Sequence, residues 1–344
     1  MKLMDIFRYL LRHDKLQKPQ IFSGNEENFY KNGETLLEER ISLFNGRNNS
    51  ICCFSVDDLN SMITGGSTDD GSLRGVWDGK LVQVKGFGDR VRSKYACREI
   101  AVATEMGTHR NVHRLLGCCL HTKYPVLVYE WEEKGTLMSR ITNYNGQIKE
   151  TLEWKDMLRI AWEIAHAVAY LHTAFHRPIV HRGLNPLNVF LDQDGSVRLS
   201  DFGSCISIPP GKKDVEDDLI IGTLGYLAPE YHRSGRVAES CDVFSFGILL
   251  LVLLTGQSPY TFSQSNQYHG SLLEWVSECR AVNCLGDVVD PTITRNGPVA
   301  AEVQLKAIVD IALSCAAADE ERRPTMVDVA TQLKDIIVLT SDSI

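Results

Sequence analysis

The stretch IVHRGLNPLNVFLDQDGSVRLSDFG (Ile179–Gly203) holds two short polar motifs on either side of a mostly apolar run. The first motif is His181-Arg182 with Asn188, and the second is Asp201-Phe202-Gly203. Two uncharged residues, Gly183 and Asn185, lie inside the first motif. The remainder of the chain determines which fold presents these motifs and whether they still perform chemistry.

The overall composition is that of a globular protein without a nucleic-acid partner. The chain has 344 residues, a net charge of -8 and a pI near 5.7. This length accommodates one large domain of two lobes or two ordinary domains. General nucleic-acid binders are usually basic, so the acidic balance argues against that class of function.

Ten cysteines include two adjacent pairs, Cys52-Cys53 and Cys118-Cys119, and none of them forms a C-x-x-C motif or a cluster with zinc spacing. Adjacent cysteines do not easily bond to each other, and in a chain of this length they are mostly small buried hydrophobes. We therefore expect a reducing compartment and no structural disulfides.

The sequence predicts neither secretion nor membrane insertion. Asp5, Arg8 and Arg12 interrupt the first apolar run, so no signal-peptide core forms. The most apolar run, Phe244–Gly256, is too short to span a bilayer and predicts a buried core helix. We expect a soluble cytoplasmic protein.

The N-terminus predicts an amphipathic helix, because apolar residues recur there at helical spacing. These residues are Leu3, Ile6, Phe7, Leu10 and Leu11. In the simplest interpretation this helix packs on its own domain. Docking to a partner is the next alternative. Peripheral binding to a membrane is the last, because Asp5 and Asp14 dilute the positive charge.

A strand-rich half of the chain precedes a helix-rich half. Gly79–Phe87 and Tyr124–Trp131 are apolar and β-branched, which predicts strands. Helical periodicity marks residues 94–107, 151–175 and 304–318, with Thr151 as a candidate N-cap. The pattern predicts an α+β fold with a small, mostly β lobe and a larger, mostly α lobe.

Six motifs occur in the order found in protein kinases, which the chain resembles over residues 52–338. The motifs are VQVK (82–85), HRGLNPLN (181–188), DFG (201–203), GTLGYLAPEY (222–231), SCDVFSFGILLLVLLTG (240–256) and RRPTM (322–326). The resemblance implies the two-lobed kinase fold, with an ion pair between Arg323 and Glu230. It divides the chain into an N-terminal extension (1–51), an N-lobe (52–131), a C-lobe (132–338) and a tail (339–344).

The same resemblance assigns roles to four retained residues. Lys85 would bind the α- and β-phosphates of ATP, and Glu99 would pair with Lys85. Asn188 and Asp201 would bind Mg²⁺ if Mg-ATP is held at all. These four residues are the vestigial nucleotide site that the sequence predicts.

Two catalytic positions are lost relative to active kinases. Gly183 stands where a kinase has the aspartate that accepts the substrate proton, and Asn185 replaces the lysine that supports the transferring phosphate. General base catalysis contributes about 10²–10⁴-fold to the rate, so the loss predicts strong impairment.

The predicted nucleotide site is degenerate as well. Gln83 points to the same side of its strand as Lys85, where active kinases usually place an alanine against adenine. The loop at residues 64–85 lacks the G-x-G-x-x-G spacing, and the charges of Asp69 and Asp70 would repel a triphosphate. We predict a plain turn between strands in this loop, at most weak binding of ATP and Mg²⁺, and no required cofactor.

Within the kinases, four motifs resemble plant receptor-like kinases: LLGCCL (115–120), VLVYEW (126–131), GTLGYLAPEY (222–231) and CDVFSFGILLLVLLTG (241–256). Because we predict no signal peptide, ectodomain or transmembrane helix, the chain is similar to the receptor-like cytoplasmic kinases. Phe29–Met62 resembles the N-terminal extension of ZRK-type pseudokinase adaptors of subfamily XII. This resemblance implies a cytoplasmic scaffold in plant innate immunity, recruited in some complexes to the plasma membrane. Its partners would be the leucine-rich repeats of a coiled-coil NLR immune receptor, and a bacterial effector or another receptor-like cytoplasmic kinase that the effector has modified.

The alternative hypothesis is a weak or unconventional serine/threonine kinase that still binds Mg-ATP, with Asp192 or water replacing the base. A nucleotide-sensing switch without phosphotransfer lies between the two. Three hydroxyl side chains between DFG and APE, those of Ser204, Ser207 and Thr223, predict partner contacts or effector modification. An ordinary mobile loop is the alternative for that segment.

Overall fold

The computed structural model describes residues 21–46, 49–68, 71–87, 90–141, 152–217, 219–262, 269–290, 293 and 302–341. The predicted helix at residues 3–11 lies outside these ranges, as do Asp69, Asp70 and Thr151. The chain forms two compact units. The first consists of Met1–Gly107 and His113–Trp131, and the second of Thr108–Val112 and Glu132–Ile344.

In the described part of the first unit, six strands form one sheet with the order β1-β5-β6-β4-β3-β2. The strands are β1 (Cys52–Cys53), β2 (Ile63–Ser67), β3 (Leu73–Trp77), β4 (Lys80–Gly86), β5 (Leu115–Cys119) and β6 (Val126–Glu130). β1 runs parallel to β5, and every other neighbouring pair is antiparallel. Strands β4 and β6 confirm the two strands that the sequence predicts.

Strand β4 uses its two faces differently. Val82 and Val84 are fully buried and pack with Val128 in the apolar cluster of the first unit. Burying a valine side chain stabilises the fold by about 1.5–3 kcal/mol. Because successive side chains of a strand point to opposite faces, Gln83 and Lys85 share the other face.

Helices α1 (Glu26–Phe44), α2 (Val56–Met62) and α3 (Arg90–Met106) accompany this sheet. Helix α1 was not predicted from the sequence. Two of its polar residues, Asn32 and Glu39, bind it to the rest of the first unit. The Asn32 amide donates to the carbonyl oxygens of Leu120 at 2.8 Å and Thr122 at 2.9 Å. The Glu39 carboxylate pairs with Arg98 of α3 at 2.7 Å. Residues 26–44 therefore pack as part of the first unit.

All ten cysteines are free thiols. Cys118 and Cys119 are buried in β5, as the sequence predicts, but Cys52 and Cys53 are exposed. The prediction of burial is wrong for this second pair because β1 is the outermost strand of the sheet order.

The second unit is mostly helical. Its helices are α4 (Met138–Ile141), α5 (Trp154–Thr173), α6 (Pro229–Ser234), α7 (Glu239–Thr255), α8 (Leu272–Ala281), α9 (Glu302–Cys315) and α10 (Met326–Ser341). Its short strands are β7 (Ile179–Val180), β8 (Val189–Leu191), β9 (Val197–Leu199), β10 (Ile206–Ser207), β11 (Val215–Glu216), β12 (Arg236–Val237), β13 (Tyr260–Phe262) and β14 (His269–Ser271). The strands pair as β10-β7, β11-β12, β13-β14 and β8-β9.

Helix α7 confirms the predicted core helix. Its residues from Cys241 to Thr255 are all buried, so the helix is enclosed on every side and runs through the core of the second unit. Gly247 makes the close packing with α9 feasible. A Cβ atom at this position would lie 2.8 Å from the carbonyl oxygen of Ala312 and 2.8 Å from the Cβ of Cys315.

Helix α5 begins later than the sequence predicts. Glu153 is the residue in the N-cap position, with an extended backbone, and its carbonyl oxygen accepts the first helical hydrogen bond, from the Met157 N–H at 2.9 Å. The prediction of Thr151 as the N-cap is therefore wrong. Across the described ranges, no helix has both the length and the apolar character that crossing a bilayer requires.

Candidate functional site

The first unit brings Lys85 and Glu99 together. The Lys85 ammonium on β4 lies 3.1 Å and 3.2 Å from the two carboxylate oxygens of Glu99 on α3. Glu99 is fully buried, and Tyr129 of β6 donates its hydroxyl to Oε1 at 2.6 Å. The carboxylate is therefore held by side chains from two neighbouring strands, Lys85 of β4 and Tyr129 of β6. The binding of phosphate by Lys85 stays a prediction.

Gln83 is buried on the same face of β4. Its side chain is 3% exposed, and its Nε2 donates to the hydroxyl of Ser72 at 3.1 Å. The sequence suggests an amide poorly matched to adenine, whereas the structure gives this amide a hydrogen bond within the unit. An adenine ring at this position would have to pack on the glutamine or displace it from Ser72.

The glycine-containing loop before Lys85 is a β-hairpin, which confirms the predicted turn. Strands β2 and β3 pair antiparallel, and the left-handed Gly65 (φ 103°) and Gly66 (φ 84°) accompany an irregular register. In the turn, the Thr68 N–H donates to the Ser72 carbonyl at 2.8 Å, and the Gly71 N–H to the Thr68 carbonyl at 2.9 Å. These N–H groups bond within the turn, whereas a phosphate-binding loop directs its N–H groups at the ligand.

In the second unit, Asp242 of α7 holds the backbone of the predicted catalytic loop. Its buried carboxylate accepts hydrogen bonds from the N–H groups of His181 at 2.7 Å and Arg182 at 2.9 Å, and from the ring of His172 at 2.9 Å. Burial opposes ionisation of Asp242, but the bond from His172 and the other donors hold the pKa of this carboxyl below its ordinary value. Arg182 is left-handed, with φ 62°.

His181 is neutral and fixed in one tautomer. Its Nδ1 accepts the Gly183 N–H at 3.1 Å, so its Nε2 carries the proton and donates to the Ser200 carbonyl at 3.0 Å. Complete burial lowers the pKa of His181, which agrees with the neutral form. This histidine therefore orients the loop, and both of its nitrogen atoms are already engaged in doing so.

Gly183 occupies the position of the missing base. A Cβ atom there would lie 3.1 Å from the Ser204 hydroxyl, 3.4 Å from the Asn188 amide nitrogen and 3.4 Å from His181 Nδ1. The φ angle of Gly183 is outside the left-handed region, so the backbone itself is one that a residue with a side chain adopts. The position holds no group that accepts a proton.

Both the oxygen and the nitrogen of the Asn185 side-chain amide make hydrogen bonds. Its Oδ1 accepts the Leu187 N–H at 2.8 Å and caps the short 3₁₀ helix Pro186–Asn188. Its Nδ2 donates to the Gly183 carbonyl at 3.0 Å and to the Thr223 hydroxyl at 3.1 Å. A lysine here would bring a positive charge toward a transferring phosphate, whereas this neutral amide ties the loop to the segment before α6.

Asn188 and Asp201 lie side by side. The Asn188 Nδ2 donates to the Gly183 carbonyl at 2.7 Å and to an Asp201 carboxylate oxygen at 3.2 Å, so the Asn188 amide oxygen faces away from these bonds. Mg²⁺ is commonly held by one or two such oxygen ligands together with substrate phosphates. The two side chains fit that role, although the described residues contain no cluster of three or more His, Cys, Asp or Glu that could hold a metal alone. Their role in binding Mg²⁺ stays a prediction.

Residues 73–334 match the family model of the protein kinase domain. The chain belongs to the protein kinase family. The non-functional pseudokinase ZED1 of Arabidopsis thaliana is 36% identical over 327 residues, which cover 88% of this chain and 94% of that protein. The serine/threonine-protein kinase ZRK1 of the same plant is 35% identical over 90% of this chain and 92% of its own length. The non-functional pseudokinase ZRK2, also from A. thaliana, is 35% identical, with 91% of each chain covered. This kinase family member is thus of the ZRK type.

One structural ion pair of the kinase fold is intact. Arg323 contacts both carboxylate oxygens of Glu230, at 2.6 Å and 2.9 Å, and its side chain is fully buried. This confirms the pair that the sequence predicts. Charged partners in such bidentate geometry tie the segment that ends in APE to the C-terminal part of the second unit.

The segment between DFG and APE differs from the sequence prediction at one residue. Ser204 is buried, and its hydroxyl donates to the His181 carbonyl at 2.9 Å, so it belongs to the interior and is not an accessible contact residue. Ser207 pairs with Ile179 in a short sheet, and Thr223 is exposed. The sequence also missed Asp217, whose carboxylate pairs with Arg182 at 2.6 Å. The only available signal was an acidic residue between DFG and APE, which carries little information by itself.

Proposed function

We propose that this chain is a catalytically impaired pseudokinase that acts as an adaptor in plant innate immunity. It bridges an NLR receptor to a bacterial effector or to a kinase that an effector has modified. The chain supplies binding surfaces on a kinase fold and no phosphotransfer of its own. The relatives named as non-functional pseudokinases support the first part of this proposal.

The observation that carries the proposal is Gly183. Phosphoryl transfer needs a group that positions the attacking hydroxyl and accepts its proton. At Gly183 that group is absent, and His181, the nearest titratable side chain, uses both ring nitrogens to hold the loop. Loss of a general base costs about 10²–10⁴-fold, which takes a typical kinase kcat of about 1–100 s⁻¹ down to about 10⁻⁴–1 s⁻¹.

Two other positions lower the expected rate further. Asn185 brings no positive charge to the transferring phosphate, because its amide bonds only to the loop and to Thr223. Gln83 fills the face of β4 next to Lys85 and bonds to Ser72. The first change weakens stabilisation of the transition state, and the second weakens binding of the nucleotide.

Specific observations favour a weak kinase as the second candidate. The Lys85–Glu99 pair is formed, and Asn188 and Asp201 are adjacent. One relative of similar identity is named a serine/threonine-protein kinase. In this alternative the chain still binds Mg-ATP and transfers phosphate slowly, with Asp192 or water taking the proton.

The apolar outer face of α1 is the surface on which we place the contact with the leucine-rich repeats. Tyr30, Leu37 and Ile41 recur at helical spacing on one side of α1 and are 71%, 56% and 54% exposed. The opposite side carries buried residues such as Leu36 and Leu43. Exposed apolar side chains on the face that points away from a helix's own domain are typical of a surface that binds a partner.

Phosphotransfer from labelled ATP by the purified chain tests the catalytic part. Lys85→Met serves as the control, because it removes the ammonium that would bind the phosphates. We expect wild type and Lys85→Met to give the same signal on a generic protein substrate. A signal in wild type that disappears in Lys85→Met would replace the pseudokinase proposal with the weak kinase.

Binding to the isolated leucine-rich repeats of a ZRK-binding NLR, measured by calorimetry, tests the adaptor part. We expect Leu37→Glu and Ile41→Glu each to weaken binding at least about tenfold, as charges do at the centre of an apolar interface. Val303→Glu is the matched control, because Val303 is 75% exposed on a helix of the second unit. Equal affinity of all three variants and wild type would exclude α1 as the contact.

A further inference from the structure

Two cysteine pairs meet at one edge of the sheet in the first unit. In the parallel pairing of β1 with β5, Cys53 is directly opposite Cys118, and Cys52 is opposite Gly117. Gly117 makes this approach feasible, because a Cβ atom there would lie 2.6 Å from the Cys52 carbonyl oxygen and 2.5 Å from the ring of Phe54. The Phe54 N–H then donates to the Cys118 carbonyl at 2.8 Å.

The two opposed thiols have unlike environments. Cys53 is exposed, and the adjacent Cys118 thiol lowers the pKa of Cys53 to about 6, with partial burial opposing this shift and the nearby His121 and Arg40 adding to it. Cys118 is buried, and its pKa is raised well above the ordinary value by the neighbouring Cys53 and by burial. Of the two facing thiols, Cys53 is therefore the more acidic and the more exposed, which are the properties of a reactive cysteine.

Their separation suits a disulfide. Neighbouring strands of a sheet lie about 4.7–4.9 Å apart, and the Cα atoms of disulfide-bonded cysteines lie about 4.4–6.8 Å apart. Residues directly opposite in a parallel ladder point to the same face of the sheet, so the side chains of Cys53 and Cys118 lie next to each other on one face. Cys52 lacks such a partner on β5 because Gly117 stands opposite it.

We propose that Cys53 and Cys118 form an oxidation-sensitive pair, in which a hydroperoxide such as hydrogen peroxide oxidises Cys53 and Cys118 then closes a disulfide with it. This modification site is independent of the adaptor function and of the vestigial nucleotide site. The disulfide fastens the outermost strand β1 to β5.

The chemistry balances in two steps. The Cys53 thiolate attacks one oxygen of hydrogen peroxide; an S–O bond forms, the O–O bond breaks, and hydroxide leaves and takes a proton from solvent. Sulfur loses two electrons and the peroxide gains them. The Cys118 sulfur then attacks the Cys53 sulfenic acid; an S–S bond forms, the S–O bond breaks, and the departing hydroxide takes the Cys118 proton as water.

The test treats the purified full-length chain with stoichiometric hydrogen peroxide at neutral pH, blocks remaining thiols by alkylation and maps the peptides by mass spectrometry without reduction. In wild type we expect one linked peptide pair, Cys53–Cys118, with the loss of two hydrogen masses. Cys52→Ser is the matched control and should form the same link at the same rate. Cys53→Ser should lose thiols to peroxide about tenfold more slowly, because burial raises the pKa of the neighbouring thiols of Cys52 and Cys119 and disfavours their reactive thiolate form.

The Cys118→Ala variant separates oxidation of Cys53 from closure of the disulfide, because it lacks the second thiol. It should stop at a Cys53 sulfenic acid, which a 1,3-diketone probe labels, whereas wild type should escape labelling because the disulfide forms first. If wild type instead accumulates sulfinic acid at Cys53, or if Cys52 reacts first, the proposal is overturned. The peptide map of wild type decides this even if Cys118→Ala fails to fold.

Discussion

The guanidinium group of Arg182 lies 2.6 Å from a carboxylate oxygen of Asp217, and the Arg182 side chain is fully buried. The same guanidinium donates through Nε to the Ser204 carbonyl at 2.6 Å, while its Nη2 is buried with no hydrogen-bond partner among the described residues. A carboxylate of the chain itself therefore neutralises the arginine of the HR motif. The segment between DFG and APE is tied to the loop without a phosphate group.

Asp217→Ala should destabilise the second unit, because it leaves the Arg182 charge buried without its partner. Hydrogen bonds to charged groups contribute about 1.5–3 kcal/mol, and we expect a loss of that size in the free energy of unfolding. Denaturant unfolding measures it. Asp214→Ala is the control, because Asp214 lies 3.6 Å from the half-exposed Arg236 and should matter much less. Equal losses in the two variants would contradict the assignment.

Gly183→Asp should fold but should not restore phosphotransfer by itself. The backbone at Gly183 accepts a side chain, and the closest contact of a new Cβ, 3.1 Å to the Ser204 hydroxyl, requires a shift of a few tenths of an ångström. Gln83 would still hinder binding of the nucleotide in this variant. Gly183→Asn is the isosteric control without a base. Activity that rises about 10²-fold or more in Gly183→Asp alone would mean that the base was the only missing part.

Gln83→Ala should make the chain responsive to Mg-ATP in a thermal unfolding experiment. Removing the amide leaves the face of β4 beside Lys85 open, and a ligand at about 100 times its Kd stabilises the folded state by about 2.7 kcal/mol. We expect a concentration-dependent rise in Tm for Gln83→Ala and none for wild type. The double variant Gln83→Ala/Lys85→Met should lose the rise. A rise of equal size in wild type would show that Gln83 does not exclude the nucleotide.

Removing Arg323 should cost more than removing an exposed arginine. Arg323→Ala leaves Glu230 without its bidentate partner and also removes bonds to the Ala317 and Ser240 carbonyls. Breaking a buried pair in this way costs about 3–5 kcal/mol in the free energy of unfolding. Arg280→Ala breaks the exposed pair with Asp310 and should have a much smaller effect, so similar losses would count against a structural role for Arg323.

The alkylation rate of Cys53 should depend on pH with a midpoint near 6. Because the thiolate is the reacting form, the rate rises as pH increases through the pKa of about 6 and levels off above it. Burial and the neighbouring Cys53 raise the pKa of Cys52, so its rate should keep rising through the alkaline range. Rates measured by mass spectrometry after brief exposure to iodoacetamide check both. Indistinguishable profiles for the two cysteines would contradict the assigned environments.

The parts of the fold that the sequence predicts are those set by local pattern. The β-branched run of β4 and the helical period around Glu99 give the correct elements, and the strand alternation places Gln83 and Lys85 on one face. The start of α5 at Trp154 was missed because Glu153 adopts the N-cap conformation without any side-chain cap. A search for capping side chains does not detect such a start.

The contacts that the sequence does not predict depend on register and on irregular segments. Gln83 meets Ser72 only because β3 pairs with β4 in the observed register. Arg182 meets Asp217 across 35 residues without a periodic pattern to connect them. Cys53 meets Cys118 through a strand of two residues, which is too short to show any alternation.

The Asp242 carboxylate accepts hydrogen bonds from the backbone N–H groups of His181 and Arg182, and this arrangement has an evolutionary consequence. The shape of the loop depends on main-chain bonds to a carboxylate on another helix and not on the side chain at position 183. Under the proposed adaptor function, selection for partner binding would preserve that shape while position 183 drifts. Glycine and aspartate codons can differ by a single base, so the lineage lies one mutational step from regaining the carboxylate in a loop that has kept its form.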